Sequence, residues 1–332
     1  MLGYFLLGLL VFLVVLIGAV LAGGAIVRAR IRANYPPPGQ LVDVVGYRLH
    51  IHCLGEGSPT IALLSGSGVA SPYWWLVQSE MAKTNRVCAY DRAGYAWSEP
   101  GTDDMSPQGQ VEDLNALLSG AGILPPYVLV GHSYGGYIAR LYTQTHPEEV
   151  VGLVMVDSAH EEQYVRYPKP VREMGERMFT GPDSPVGLFL IRLLGSVRAL
   201  LPGSGPWAAY LPPNVAETFS AMQKLRPDIL YTVKAEVSEM VVGRSPRITD
   251  LGDRPFIVIT HGVPIPLSGQ SEEINAEYER VGLEMQRELL SLSTRSKQIV
   301  AEQSTHDDIL LKQPDLVIEA IREVINQATD SR

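Results

Sequence analysis

Short apolar runs alternate with segments of helical periodicity along most of this chain. The runs read as strands that are apolar on both faces, and they occupy residues 60–64, 86–90, 127–130, 151–156 and 255–260. Predicted helices lie between and after them, at residues 107–119, 137–142, 272–292 and 314–327. Strands of this kind belong to parallel sheets that helices cover on both sides. The alternation therefore predicts an α/β protein with a doubly wound, mostly parallel sheet.

Two further segments extend the predicted sheet. Residues 41–45 and 47–54 alternate between apolar and polar positions and are joined at Gly46, which predicts a hairpin. Residues 297–301 form one more predicted strand late in the chain.

The strand pattern is interrupted between residues 158 and 250, where amphipathic helical pieces are broken by prolines. It resumes at Pro255. Ligand sites in open α/β sheets form at the carboxyl ends of the strands. We therefore expect residues 158–250 to form a helical lid over that edge, inserted between two parts of one core at residues 41–157 and 251–332.

The N-terminus is the most apolar part of the chain. Residues 4–27 are apolar or glycine throughout, which is long enough to cross a hydrocarbon core as one helix. A cleaved signal peptide is the alternative, but it would carry a basic segment ahead of a shorter apolar run, and no Lys or Arg precedes this one. We expect a transmembrane anchor with a basic flank at residues 1–34, followed by a Pro-rich spacer at residues 35–40. Arg28, Arg30 and Arg32 follow the span, so the positive-inside rule favours a cytoplasmic position for the rest of the chain.

Net charge and cysteine content argue against some kinds of binding site. The net charge is −9 and no basic cluster follows a face or a helix, which argues against a nucleic-acid partner. The only two cysteines, Cys53 and Cys88, lack the spacing of a zinc site and are too few for a disulfide framework. Nothing in the sequence indicates a metal or an organic cofactor, and no feature of it identifies a protein partner.

A serine stands at the centre of a strand, a tight turn and a helix. Gly131 and Gly135 lie two residues before and two residues after Ser133. Glycines at these positions allow the strained turn that lifts a serine hydroxyl above the end of the sheet. The pattern predicts a nucleophile elbow, with Ser133 as the nucleophile.

A serine hydroxyl needs a base to become a good nucleophile at neutral pH. Among the seven histidines, His306 follows the last predicted strand in a polar loop, late in the chain. The chain order nucleophile, acid, base requires a histidine there. We expect His306 to be that base.

The third member of such a triad is a carboxylate that orients the histidine. Its usual location is the loop after the strand at residues 255–260, which here contains no carboxylate before Glu272. Asp157 ends the strand next to the elbow strand, so we expect it to supply the carboxylate. Glu272 and Glu273 are the alternatives.

The oxyanion that forms in acyl transfer needs preorganised N–H donors, which a tight Gly-rich loop supplies. We expect the backbone amide of Tyr134, at the start of the elbow helix, to be one donor. The amide of Ser67, in the loop after residue 64, is expected to be the other.

Together these features resemble the α/β-hydrolase superfamily over residues 41–327. Residues 90–98, Tyr-Asp-Arg-Ala-Gly-Tyr-Ala-Trp-Ser, are similar to the D-R-x-G-x-G-x-S turn of that family, and residues 304–307 resemble its S-G-H-x histidine loop. The resemblance implies an eight-stranded sheet. The chain departs from the family pattern in two places. Ser65 replaces the histidine of the oxyanion loop, and the acid after residue 260 is missing, although some relatives carry it where Asp157 stands.

The resemblance implies acyl transfer to water, because the dehalogenase and epoxide-hydrolase branches use a carboxylate nucleophile instead of serine. We therefore expect a membrane-anchored serine hydrolase acting on a small or lipophilic acyl substrate, with an ester as the first choice. The same triad could serve a peptidase, amidase, thioesterase or acyltransferase. A catalytically silent member used as a binding protein is the alternative from another class.

The resemblance also bears on localisation. In the α/β-hydrolase fold the strands carrying Cys53 and Cys88 are neighbours, which would allow a disulfide. A disulfide would point to a position outside the cytoplasm, against the argument from the arginines.

Overall fold

The structure is a computed structural model, and it describes residues 1–101, 105–179, 184–201 and 205–330. Eight strands form one sheet in the order β1-β2-β4-β3-β5-β6-β7-β8. Their bounds are β1 Gln40–Asp43, β2 Arg48–Leu54, β3 Thr60–Leu64, β4 Val87–Asp91, β5 Tyr127–His132, β6 Val150–Val156, β7 Pro255–His261 and β8 Arg295–Ala301. The hairpin of β1 and β2 is antiparallel, β2 pairs antiparallel with β4, and all other pairs are parallel. The predicted α/β fold with a mostly parallel, eight-stranded sheet is confirmed.

Helices cover both faces of the sheet. The helices outside the segment between β6 and β7 are α1 Leu2–Asn34, α2 Trp75–Met81, α3 Pro107–Gly120, α4 Tyr134–Thr145, α10 Glu272–Glu288, α11 Ile309–Lys312 and α12 Pro314–Asp330. Between β6 and β7 lie α5 Gln163–Arg166, α6 Lys169–Phe179, α7 Pro185–Leu200, α8 Pro213–Leu225 and α9 Ile229–Val241. We call residues 158–250 the insertion; its described part contains helices and irregular segments but no strand. Single 3-10 turns occur at Ser71–Trp74, Pro206–Ala209 and Leu289–Leu292.

The central strands are buried on both sides because both of their faces are apolar. In β5, Leu129 packs with α3 and α4 in one core cluster, whereas Val128 and Val130 pack with α2 and α12 in the other. Successive strand residues point to opposite faces, so one short apolar run contributes to both cores. This is the physical basis of the continuous apolar runs in the sequence.

The strand register brings the carboxyl ends of neighbouring strands together. His132 at the end of β5 pairs with Val156, which in turn pairs with Ile259 of β7. His261 pairs with Ala301 at the end of β8. The residues that follow these strands therefore meet at one edge of the sheet, as the sequence predicted.

The N-terminal helix does not end at the apolar run but continues to Asn34, and its last turns pack against the rest of the protein. Ile31 is buried in the core cluster that contains α2 and α8. The Tyr35 hydroxyl donates a hydrogen bond to Glu217 of α8. Residues 36–39, within the Pro-rich segment, are irregular.

The two cysteines lie directly opposite each other on β2 and β4 and form a disulfide. We therefore expect thiol titration of the denatured protein to find no free thiol before reduction and two after it. A protein that shows two free thiols without reductant would contradict the pairing. The Cys53→Ser/Cys88→Ser variant, which contains no cysteine, is the negative control for the titration.

Candidate active site

Ser133 stands at the apex of the turn between β5 and α4, with φ 52° and ψ −126°. From Tyr127 to Thr143 it is the only residue that is not buried. The turn is closely packed, since a Cβ on Gly131 would lie 2.4 Å from Gly136 Cα, and one on Gly135 would lie 2.3 Å from the carbonyl oxygen of Leu64. Small residues are therefore required on both sides of Ser133, for the reason that the sequence suggested.

His306 lies in the loop after β8 and contacts Ser133 and Asp157 at once. Its Nε2 is 3.1 Å from Ser133 Oγ, and its Nδ1 is 2.5 Å from Asp157 Oδ2. Desolvation lowers the pKa of the imidazole, but the hydrogen bond and the charge of Asp157 outweigh this and raise it. The structure thus brings together the three side chains that the sequence singled out.

Asp157 follows β6 in a left-handed conformation, with φ 44°, and is almost completely buried. Desolvation raises the pKa of its carboxyl group, but hydrogen bonds from His261 and His306 outweigh it and hold the pKa well below its ordinary value. Glu272 and Glu273 lie exposed in the first turn of α10, and neither bonds to His306 in the described part of the chain.

A second histidine, His261, binds the same carboxylate. Its Nδ1 is 2.8 Å from both oxygens of Asp157, and its backbone amide donates to Oδ1 over 3.1 Å. Its Nε2 is 3.1 Å from Glu279 Oε1. Desolvation lowers the pKa of His261, but the hydrogen bonds to these two carboxylates raise it to about 10. The ring is therefore a cation at neutral pH.

The sequence argument did not assign a role to His261. The available signal was its position as the first residue after the strand at residues 255–260, where an acid is usual. Instead of an acid, this position holds a cation that binds the acid supplied by the neighbouring strand.

His132, inside the elbow, is a second residue whose contribution was missed. Its Nε2–H donates to the backbone carbonyl of His306 over 2.9 Å, and the two rings lie 4.9 Å apart. Burial lowers the pKa of His132 to about 3, so its ring is neutral. Among the described residues no hydrogen bond joins the His132 ring to Ser133 Oγ; the ring supports the loop that carries His306.

The loop after β3 approaches Ser133 from the other side. A Cβ on Gly66 would lie 3.0 Å from Ser133 Cβ. Arg92 donates to the carbonyl oxygens of Ser65 and Gly66, the latter over 3.0 Å. In a trans peptide the N–H points opposite to the C=O, so the amide of Ser67 points away from Arg92. Among the described residues neither this amide nor that of Tyr134 has a hydrogen-bond acceptor.

Arg92 is itself held by the insertion. Its Nε lies 2.5 Å from Oε1 of Glu236, a fully buried residue of α9. The other oxygen of Glu236 accepts hydrogen bonds from the Tyr95 hydroxyl over 2.5 Å and from Ser67 Oγ over 3.0 Å. One carboxylate of the insertion therefore fixes both the arginine and the loop next to Ser133.

A cavity of about 290 Å³ opens beside Ser133 and His306. Residues at the start of the insertion and on α10 line it, with both apolar and hydrogen-bonding side chains, including Gln163, Tyr164, Tyr167, Tyr278 and Met285. Across the described ranges no group of His, Cys, Asp and Glu side chains has the arrangement of a metal site.

Comparison with known proteins agrees with this architecture. A family model described as the alpha/beta hydrolase fold matches residues 51–194. The uncharacterized protein YbdG of Bacillus subtilis is 34% identical over 131 residues, which are 39% of this chain and 40% of that protein. A 2-hydroxymuconate semialdehyde hydrolase of Pseudomonas sp. is 35% identical over 129 residues, 38% of this chain and 45% of that protein. The chain thus spans less than half the length of these curated relatives.

Solved structures match over more of the chain. A thermophilic esterase from Thermogutta terrifontis superposes with a TM-score of 0.55 at 21% identity, covering 87% of this chain and 98% of that one. An epoxide hydrolase from Bacillus megaterium superposes with a TM-score of 0.63 at 18% identity, covering 86% of this chain and 100% of that one. At these identities the superpositions show the fold. Together with the family model, which matches less than half of the chain, they lead to one conclusion: the chain has the α/β-hydrolase fold.

Proposed function

We propose that this enzyme is a serine hydrolase that cleaves an ester-like acyl substrate through Ser133, His306 and Asp157. The observation that carries the proposal is the hydrogen-bonded series from Ser133 Oγ through both ring nitrogens of His306 to a buried carboxylate. Epoxide hydrolases share the fold, but their nucleophile is a carboxylate, and here a serine occupies the apex of the turn. The geometry therefore favours acyl transfer.

In the proposed reaction, His306 Nε2 takes the proton of Ser133 as its oxygen attacks the carbonyl carbon, and later gives that proton to the leaving group. The product of this step is an acyl-enzyme, which water hydrolyses with His306 again acting as the base. Asp157 keeps the Nδ1 proton of His306 in place and stabilises the imidazolium.

The oxyanion donors in this proposal are the backbone amides of Ser67 and Tyr134. Both N–H groups lack an acceptor among the described residues and belong to segments in contact with Ser133. Donors that are oriented before the reaction stabilise developing charge without reorganisation. Arg92 provides that orientation for the Ser67 amide, because it holds the carbonyl oxygen of the same peptide unit.

The proposal includes membrane anchoring by α1 and a lid function for the insertion. The helix has 33 residues, enough for about 50 Å at 1.5 Å per residue, and its first half has apolar, exposed side chains. The disulfide favours an oxidising compartment for the catalytic domain. The arginines after the span favour the opposite side, but long domains cross membranes largely regardless of flanking charge. We therefore propose an extracytoplasmic catalytic domain.

Fluorophosphonate labelling tests the nucleophile. We expect detergent-solubilised wild-type protein to be labelled at Ser133, as located by peptide mass spectrometry, and Ser133→Ala to remain unlabelled. Ser291→Ala, which removes an exposed hydroxyl outside the site, should be labelled like the wild type. A folded wild-type sample without label would overturn the serine-hydrolase proposal in favour of a binding protein.

The acid assignment is tested by removing one carboxylate at a time. Asp157→Asn should lower kcat by about 10⁴-fold, the order of loss known for the orienting carboxylate of a serine triad. Glu272→Gln and Glu273→Gln are the matched controls, and both should keep wild-type turnover because their side chains are exposed on α10. Near-normal turnover of Asp157→Asn would refute the assignment.

The charge of His261 should appear in the pH profile. This cation lies on the same carboxylate as His306 and lowers the pKa of His306. His261→Gln keeps an amide donor but removes the charge, so the pKa of His306 should rise. Because catalysis needs neutral His306, the acidic limb of the kcat/KM profile should move to higher pH. Glu273→Gln should leave the limb in place. An unmoved limb in His261→Gln would show that the charge of His261 does not influence His306.

A further inference from the structure

Helix α7 of the insertion exposes an unusual number of apolar side chains. Six of them are 39% to 67% exposed: Val186, Phe189, Leu190, Leu194, Val197 and Leu200. Their spacing of one to four residues groups them along one side of the helix. Soluble surfaces rarely carry a contiguous apolar patch of this kind unless something covers it.

An adjacent side of α7, which shares Leu200 with the apolar patch, packs against α1 at very short range. A Cβ on Gly24 would lie 2.7 Å from Ser196 Cβ, and one on Gly23 would lie 3.2 Å from Leu200 Cδ2. Glycines at these positions let the two helix backbones approach closely, as they do between helices in membranes. The contact is therefore a built interface between the N-terminal helix and the insertion.

The contact lies within the apolar part of α1. The less exposed residues of this helix follow helical periodicity and lie on one side of it: Ile17, Val20, Leu21, Gly23, Gly24, Val27, Arg28 and Ile31. This face packs against α7 and α8. About 20 residues cross a hydrocarbon core, so a helix that spans the membrane with residues 4–27 carries Ile17, Gly23 and Gly24 inside the bilayer or at its boundary.

The part of α7 that contacts this segment of α1 must then lie at the same depth in the membrane. The end of α7 near Leu200 lies beside Gly23, so it reaches the same level as the apolar part of α1. Arg192 and Arg198 are the charged residues of α7, and both are exposed. Arginines in such a position can bury their aliphatic stems and direct the guanidinium group to the lipid headgroups.

We propose that α7 lies in the membrane interface next to α1, with its exposed apolar side covered by lipid. The inference rests on the proposed membrane anchoring of α1 and adds a second contact with the bilayer. The same packing favours retention of α1 in the mature protein, since its removal would uncover the side of α7 that carries Ser196. Because α7 packs on α8 and α9, the lipid-contacting helix belongs to the unit that holds Glu236 and the loop next to Ser133.

This position also indicates a substrate class. Because α7 packs on α9, whose Glu236 binds the loop next to Ser133, contact of α7 with lipid would place the proposed site close to the bilayer surface. Within the proposed function, the acyl substrate is therefore one that partitions into membranes.

Site-directed fluorescence in proteoliposomes tests the proposal. The natural cysteines are paired, so a single introduced cysteine can be labelled with an environment-sensitive fluorophore. Leu194→Cys probes α7. Leu124→Cys, on an exposed leucine between α3 and β5, is the matched control. We expect nitroxide groups on lipid acyl chains to quench the label at position 194 several-fold more than the label at position 124, and aqueous iodide to show the reverse.

The outcomes separate this inference from the proposed anchoring. If the protein floats with the liposomes but iodide quenches both labels equally, α7 lies in water and the inference fails while the anchor stands. If the label at position 194 is shielded from both quenchers, another protein surface covers α7 and the inference also fails. If the protein does not float with the liposomes, the anchoring itself is refuted. Leu190→Cys serves as a second probe, and fluorophosphonate labelling of each variant verifies that it is folded.

Discussion

The buried carboxylate of Asp157 is the group on which the site depends. It lies at the end of β6 and receives hydrogen bonds from His261, the last residue of β7, and from His306 in the loop after β8. A carboxylate buried without partners would cost several kcal/mol. Here two imidazoles and one backbone amide compensate for the lost water. The same bonds connect the ends of three neighbouring strands and hold the base next to Ser133.

The three histidines near Asp157 differ in their tendency to carry a proton. His261 is a cation because it lies between two carboxylates, whereas burial keeps His132 neutral. The surroundings of His306 are intermediate: the carboxylate of Asp157 raises its pKa, and the cation on His261 lowers it. The proposed base is therefore held by Asp157 without being locked in the charged form. A single carboxylate partner, with no second cation, would hold the proton on His306 more strongly.

The insertion is joined to the core through a second buried charge pair. Glu236 of α9 binds Arg92, and Arg92 holds two carbonyl oxygens of the loop after β3. Breaking a buried pair by removing one partner leaves an unpaired charge in the interior, which is strongly unfavourable. The position of the insertion and the conformation of this loop are therefore coupled. With α7 in the membrane interface, the coupling would extend from the lipid surface to the proposed oxyanion donors.

Local patterns in the sequence determined the elements and their order. Apolar runs are sufficient to identify strands buried on both faces, and the glycines around Ser133 reflect a turn with no room for larger side chains. The position of Asp157 at a strand end followed from the same reasoning, since neighbouring parallel strands end at one edge. Boundaries differ in places: β8 begins at Arg295, two residues before the predicted start at 297, and α10 ends at Glu288, before the 3-10 turn at Leu289–Leu292. The short helices α2 and α11 were not predicted.

Only the tertiary structure decided which distant residues became partners. Arg92 and Glu236 are separated by 144 residues, and Asp157 and His261 by 104. The roles of His261 and Glu236 depend on the groups that face their side chains, and these groups lie far away in the sequence. The close contact of Gly24 with Ser196 is of the same kind. The sequence alone thus determined the strands, the elbow and the order of the proposed triad, while the choice of charge partners and the docking of α7 on α1 depended on how the chain packs in three dimensions.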